Sequence, residues 1–301
     1  MIHNPSLLGR RKRREIARTA LLFSLPALFF IIVFIFYPVI NSFWISLHSW
    51  KGIELTMKWA GFDNWVKLLN DQSFFKALIN NLKIVVLSLL IQMPIGMALA
   101  TFLDATGKKM NVFKIAWFLP YLMSSVAIGY LFRYAFDPIF GVVTPISQLF
   151  GGGAIDLLGN SKLAIYTVIG VICWQFTPFY MVYYLAGLSG IPTDLYEAAI
   201  IDGAKRRQYF FRIVIPLLFP TIRNACILSI VGSLKYFDLI FVMTEGGPFG
   251  STELMATYMY KNAFQSMKMS YGSTVAMGMF LIITTVSVLL LFVLTRKEKN
   301  A

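Results

Sequence analysis

The sequence predicts an all-α fold, a polytopic membrane helix bundle of six transmembrane helices. Three observations predict it. The chain of 301 residues is 57% hydrophobic and only 14% charged, against about a quarter charged in a typical soluble domain. So few charges cannot cover a water-facing surface, and the mean hydropathy of +0.68 agrees. Apolar runs of about twenty residues recur, each long enough to cross a hydrocarbon core of about 30 Å. These runs are continuous and lack the alternation of barrel strands, which leaves the helix as the structure that satisfies every backbone group in lipid.

Residues 1–18 form a basic arm carrying Arg10, Arg11, Lys12, Arg13, Arg14 and Arg18. The run 19–47 is too long for a signal-peptide core and lacks a convincing small-x-small cleavage site, so it reads as a retained first helix over about 20–45. The arm serves to anchor that helix; binding to nucleic acid or anionic lipid is the alternative. Further spans are expected over about 82–102, 113–136, 163–187, 217–242 and 272–295, within one membrane domain over residues 19–301. Arg223, Lys235 and Asp238 interrupt the fifth. Between the first two spans, Phe62, Trp65, Val66 and Leu69, then Phe74, Phe75 and Leu78, approximate helical spacing. That pattern predicts a short amphipathic helix at the outer interface. Between the third and fourth, residues 137–160 set Gly141, Pro145, Gly151, Gly152 and Gly153 among short apolar stretches, a segment able to re-enter the membrane face only against protein.

The net charge of +13 is placed to orient a membrane protein. Lys108 and Lys109 lie between spans two and three, and Lys205, Arg206, Arg207 and Arg212 between four and five. Arg296, Lys297 and Lys299 come after the sixth. With the arm, all four basic segments fall on one side of a six-span chain. The opposite loops mix Lys51, Lys58, Lys67 and Lys76 with Glu54, Asp63 and Asp71, and then Asp137 and Asp156 with Lys162. The positive-inside rule places both termini in the cytoplasm. Cys173 and Cys226 both sit in apolar runs, as buried thiols rather than a disulfide. His3 and His48 lie far apart without ligand-spaced neighbours, so no metal site is expected.

The most informative stretch is the cytoplasmic loop 188–216. Pro192 ends the preceding helix, and Thr193 or Asp194 can cap a new one, with Asp194 and Glu197 at capping-box spacing. Glu197 to Asp202 supplies helix formers, and Gly203 allows a left-handed stop. A second helix is expected from Ala204 to Ile213, with Pro216 and Pro220 breaking the entry to span five. Such a knob suits docking into a groove, with Ala198 and Ala199 permitting close approach; a plain structured loop shielding the bundle's end is the competing reading.

Glu197-Ala198-Ala199, then Gly203, Ile213 and Pro216, resembles the EAA signature of bacterial binding-protein-dependent permeases. The fuller run Glu-Ala-Ala-Ile-Ile-Asp-Gly-Ala is similar to the carbohydrate branch that includes the maltose and glycerol-phosphate permeases. Phe237-Asp238 and Thr244-Glu245-Gly246-Gly247-Pro248 resemble that branch's segment after span five. Ile215 stands where the family usually has Leu. The likeness runs over roughly residues 60–295, with a core at about 78–295. It implies the fold of an ABC type I importer permease, forming half the translocation pathway for a sugar, a disaccharide or oligosaccharide by preference. The loop would be the coupling helix: Glu197 and Asp202 making polar contacts with a separate ATPase, Ala198 and Ala199 packing, Gly203 setting the bend. Implied partners are a second homologous permease subunit, two ATP-binding subunits, an extracytoplasmic solute-binding protein, the sugar and the lipid bilayer, in a bacterial inner membrane. This chain contains no Gly-x-x-x-x-Gly-Lys-Ser/Thr loop, so ATP and Mg belong to the partner ATPase. No cofactor, catalytic residue or nucleic acid is expected on this chain.

Charges inside lipid are costly and mark candidate pathway residues. Lys235 and Asp238, three apart in span five, can pair on one helical face; Arg133 would snorkel outward from span three. Trp174, Gln175, Tyr180, Tyr236, Ser124 and Ser125 offer aromatic faces and hydrogen bonds to a sugar, though polar groups commonly knit membrane helices together. An ion-coupled secondary transporter is the alternative, but Asp238 is the main acidic group within the spans. A membrane enzyme would need convergent acids, bases or metal ligands, and no such cluster is evident.

Overall fold

The computed structural model describes residues 8–106 and 110–296. Lys108, Lys109, Lys297 and Lys299 lie outside the described residues, as does the start of the basic arm. Helix begins earlier than the apolar run: α1 (Leu8–Ile31) takes in the basic stretch, and a π-turn over 32–36 leads into α2 (Tyr37–Ser46). A two-residue ribbon follows, β1 (His48–Ser49) antiparallel to β2 (Lys58–Trp59), with His48 opposite Trp59. Then come α3 (Asp63–Leu69), α4 (Gln72–Thr106), α5 (Asn111–Leu122), α6 (Ser125–Ala135), α7 (Val143–Leu149) and α8 (Ala164–Leu188). The chain continues through α9 (Asp194–Ile201), α10 (Arg206–Tyr209), α11 (Ile215–Leu217) and α12 (Phe219–Leu234). It closes with α13 (Asp238–Thr244), α14 (Met255–Tyr260) and α15 (Met269–Arg296).

Four helices are long and apolar enough to cross a membrane unaided: Glu15–Ser46, Gln72–Thr106, Ala164–Leu188 and Met269–Phe292. Two further bent helix pairs have the length and composition of a span, and the count reaches the six expected when each pair is taken as one crossing. The third span is α5 and α6, set at 92°. Met123 and Ser124 adopt extended backbone there, ψ 148° and 132°, and the Ser124 hydroxyl accepts the Val126 N–H as an N-cap. The fifth span also departs from the expected 217–242. It enters as α10–α11, bends by 65° into α12, and stops at Leu234, with α13 restarting at Asp238. The entry bend falls at Leu218, between Pro216 and Pro220.

The predicted amphipathic segment divides in two. Phe62, Val66 and Leu69 stand exposed along α3, whereas Phe74, Phe75 and Leu78 belong to the first turns of α4. Asp71 separates the two helices, accepting the Ser73 N–H at 2.9 Å and the Phe74 N–H at 3.4 Å. Leu68 and Phe74 pack into one cluster with Tyr271 and Val275 of α15.

The core is organised around α4 against α8. Their crossing is close at Gly96, where a Cβ would sit 3.0 Å from Tyr180 Cβ and 3.2 Å from the Met181 nitrogen. Gln92 of α4 donates to Ser88 Oγ at 3.2 Å and to Cys173 Sγ of α8 at 3.7 Å. Both cysteines are free thiols, Cys173 buried and Cys226 partly so. Lipid explains the long exposed apolar surface of α1 and α2, where Phe23, Phe30, Phe34 and Ile40 are each at least 60% exposed.

Candidate functional site: a projecting helical knob and a broken span

At one end of the bundle, α8 stops at Leu188 and the chain turns through Pro192 into α9. Thr193 is the N-cap, without a side-chain hydrogen bond, and Asp194 is already the first helical residue, so the expected Asp194–Glu197 capping box does not form. Asp194 and Glu197 instead occupy the first turn, where the positive end of the helix dipole favours carboxylates. The far end of α9 closes as a Schellman motif: the Gly203 N–H donates to Ile200 O and the Ala204 N–H to Ala199 O, each at 2.9 Å. Gly203 takes φ +73°, the left-handed stop its identity predicts. The Lys205 N–H then donates to Gln208 Oε1 at 2.7 Å and starts α10. The expected helix 204–213 runs on through a π-turn at 210–214 to Leu217.

The two helices of the knob touch each other, and α10 with the π-turn after it packs onto the bundle through Tyr209 and Phe210, in the cluster that holds Leu103 and Tyr184. Tyr196 of α9 and Tyr209 of α10 meet edge to face with centroids 5.0 Å apart. Ala199 is buried at 6% exposure, while Glu197, Ala198, Asp202 and Gly203 are exposed. Beside them Ile200 and Ile201 are 54% and 85% exposed, apolar groups turned outward on a projecting helix. Behind the knob lies a cavity of about 690 Å³ lined by Thr101 and Asp104 of α4, Leu188 of α8, and Tyr196, Tyr209 and Phe210.

The candidate pathway residues distribute differently. Consecutive residues of α8 reach three neighbours: Trp174 meets Phe132 of α6 edge to face at 5.2 Å, Gln175 Nε2 donates to Ser125 Oγ at 3.2 Å, and Phe176 meets Tyr236 at 5.7 Å. Ser124 is occupied as the N-cap of α6, and Tyr180 is buried at 6% exposure against α4. Gln175 Oε1 and the Tyr236 hydroxyl are buried without a hydrogen-bond partner among the described residues. Buried polar atoms are normally satisfied, which sets these two apart. Lys235 and Asp238 are exposed and flank the break after α12. They do not share a helical face, because residues 235–237 are not helical. The Arg133 side chain is half exposed, and its Nη1 lies 3.3 Å from Val242 O and 3.9 Å from Glu245 Oε1, tying α6 to α13.

Two buried side chains that bond backbone on either side of α13 are not among the sequence candidates. Asn80 and Asn81 of α4 are 2% and 0% exposed. Asn81 Nδ2 donates to Ser233 O at 2.9 Å and Leu234 O at 3.2 Å, and its Oδ1 accepts the Met255 N–H at 3.0 Å. Asn80 Nδ2 donates to Ser251 O and Glu253 O. In the sequence they are only a pair of asparagines near the start of an apolar run, with nothing local to mark their distant partners.

The chain matches known transport proteins in sequence and in fold. The sequence profile of binding-protein-dependent transport system inner membrane components matches residues 92–299. The chain is 66% identical over 140 residues to a putative ABC transporter permease of Caldicellulosiruptor sp., covering 46% of this chain and all of that one. It is 34% identical to a probable ABC transporter permease of Pyrococcus horikoshii, covering 85% and 88%, and 35% identical to the lactose transport permease of Rhizobium radiobacter, covering 89% and 91%. Its fold is similar to a chain of a bacterial ABC transporter for the import of the acidic polysaccharide alginate, with TM-score 0.83, 23% identity, and coverage of 95% and 99%. The knob, the bent crossings and these matches lead to one conclusion: the chain belongs to the binding-protein-dependent transport system inner membrane component family, as a multi-pass ABC transporter permease subunit.

Proposed function

We propose that this permease forms half of the passage for a sugar, a disaccharide or short oligosaccharide, and takes its energy from a separate ATPase through the knob 188–216. The observation that carries the reading is the geometry of α9. It is a short helix closed by a left-handed glycine, projecting from the bundle with Glu197, Ala198, Ile200, Ile201 and Asp202 outward. A rigid element of this kind can transmit a rearrangement when the partner's nucleotide-bound state favours one permease state. The relatives named for lactose, trehalose/maltose and arabinooligosaccharide transport support the substrate class.

In this reading the knob faces the cytoplasm, as do both termini, and two ATP-binding subunits supply ATP and Mg. A second homologous permease completes the passage, and an extracytoplasmic binding protein delivers the sugar. Trp174, Gln175 and Tyr236 are the pathway groups best placed to meet sugar hydroxyls, with Lys235 and Asp238 at the rim of the break. Uptake by the reconstituted complex in proteoliposomes tests this. Sugar should accumulate with ATP supplied to the ATPase side and no ion gradient. Uptake driven by a proton or sodium gradient without ATP would establish the ion-coupled alternative instead.

A further inference from the structure

We propose that Asn81 is a positioning residue that opens the fifth span: its one amide ends α12 and starts α14 in trans, and so holds residues 235–237 out of the helix. The last carbonyls of a helix and its first N–H groups have no partner within the helix. Ser233 and Leu234 supply such carbonyls at the end of α12, and Met255 is the first residue of α14. Asn81 Nδ2 meets both carbonyls and Oδ1 meets that N–H, so the side chain satisfies three backbone groups at once from a position more than 150 residues away. The site is enclosed: Asn81 is fully buried and Leu234 and Met255 are 1% and 0% exposed. Leaving such groups buried and unpaired is unfavourable, which ties the break to this amide.

The consequence for transport lies in what the break presents. Without it, residues 219–244 would continue as one helix and draw Lys235 and Asp238 onto a shared face. With it, Tyr236 turns against Phe176 of α8 with its hydroxyl unpartnered, beside Gln175. Asn80 reinforces the arrangement by holding Ser251 O and Glu253 O, which fixes the chain that returns from α13 to α14. The inference rests on the proposed pathway through residues 174–176 and 235–238.

The test uses the complete transporter in proteoliposomes with three variants of this chain. Asn81→Leu removes every hydrogen bond at similar volume. Asn81→Asp keeps an acceptor for Met255 but loses the donors to Ser233 and Leu234. Ile84→Ala, one turn along α4 at a fully buried site, is a control for general loss of stability. Sugar moved per ATP hydrolysed should fall about tenfold in Asn81→Leu and in Asn81→Asp. Half-saturation by the loaded binding protein should stay unchanged, and Ile84→Ala should keep wild-type coupling at an equal loss of thermal stability. If Asn81→Asp couples normally, or if Ile84→Ala uncouples as strongly as Asn81→Leu, the positioning role is overturned. Should Asn81→Leu fail to assemble, Asn81→Asp and Ile84→Ala still decide. Failure of the wild-type complex to import sugar with ATP would overturn the proposed function itself.

Discussion

Single residues at the loop-rich end show how a polar group holds a membrane bundle together where water reaches it. Asp71 sits between α3 and α4 and accepts hydroxyl hydrogen bonds from Tyr258, at 2.5 Å, and from Tyr271. Lys67 lies over the Tyr271 ring, 4.4 Å from its centroid. Partial burial pushes the Asp71 carboxyl up, and the bonds from the two tyrosines and the Ser73 and Phe74 amides more than offset it. The net result is a pKa below its ordinary value of 3.8. Burial, and then the bond to Asp71, pushes the Tyr258 phenol up to about 12. A depressed carboxylate stabilises the fold above its unfolded pKa, and that stabilisation is lost as pH falls through the folded value. Asp71→Ala should therefore lower the thermal midpoint of the detergent-solubilised protein at pH 7, and the gap from wild type should narrow below pH 3.8. A gap that is constant across that range would remove the charge from the explanation.

At the scale of elements, the bundle depends on where helices stop as much as on where they run. The turn between α5 and α6 is held by the Ser124 cap, so Ser124→Ala should cost about 1 kcal/mol of stability while the neutral cap in Ser124→Asn largely retains it. Chemical or thermal unfolding of the two variants checks this; equal stability of Ser124→Ala and wild type would show that packing alone sets the bend. The long crossings α4, α8 and α15 were legible because an unbroken apolar run has one stable form in lipid. So was the knob's turn, because Gly203 is a residue that enters the left-handed region without strain. The entry bend of the fifth span was legible from Pro216 and Pro220, but the corner between α5 and α6 and the break after α12 were not. The run 113–136 has the same hydropathy straight or folded, and its corner rests on backbone angles at Met123 and Ser124. The spacing of Lys235 and Asp238 implied a shared face because the reading assumed helix throughout. Asn81, far away in sequence, supplies the partners that let α12 end. A capping group donated by another element leaves no local signature.

For the whole molecule, the division of labour is the central claim. Two features bear on it together: a projecting helix with apolar and acidic groups outward, and a cavity of about 690 Å³ between that helix and the ends of α4 and α8. The Tyr196–Tyr209 contact and the Schellman closure join α9 to α10. Gly203 has nothing within 4 Å of an added Cβ, so a substitution there acts through backbone conformation rather than a clash. For a bulky side chain the left-handed region costs about 1–2 kcal/mol, and asparagine tolerates it. The most direct measurement compares sugar imported per ATP hydrolysed by the reconstituted complex carrying Gly203→Val, Gly203→Asn or Glu197→Lys. The account predicts continued ATP hydrolysis with import largely lost in Gly203→Val and Glu197→Lys, and import retained in Gly203→Asn. Normal import by both Gly203→Val and Glu197→Lys would contradict it.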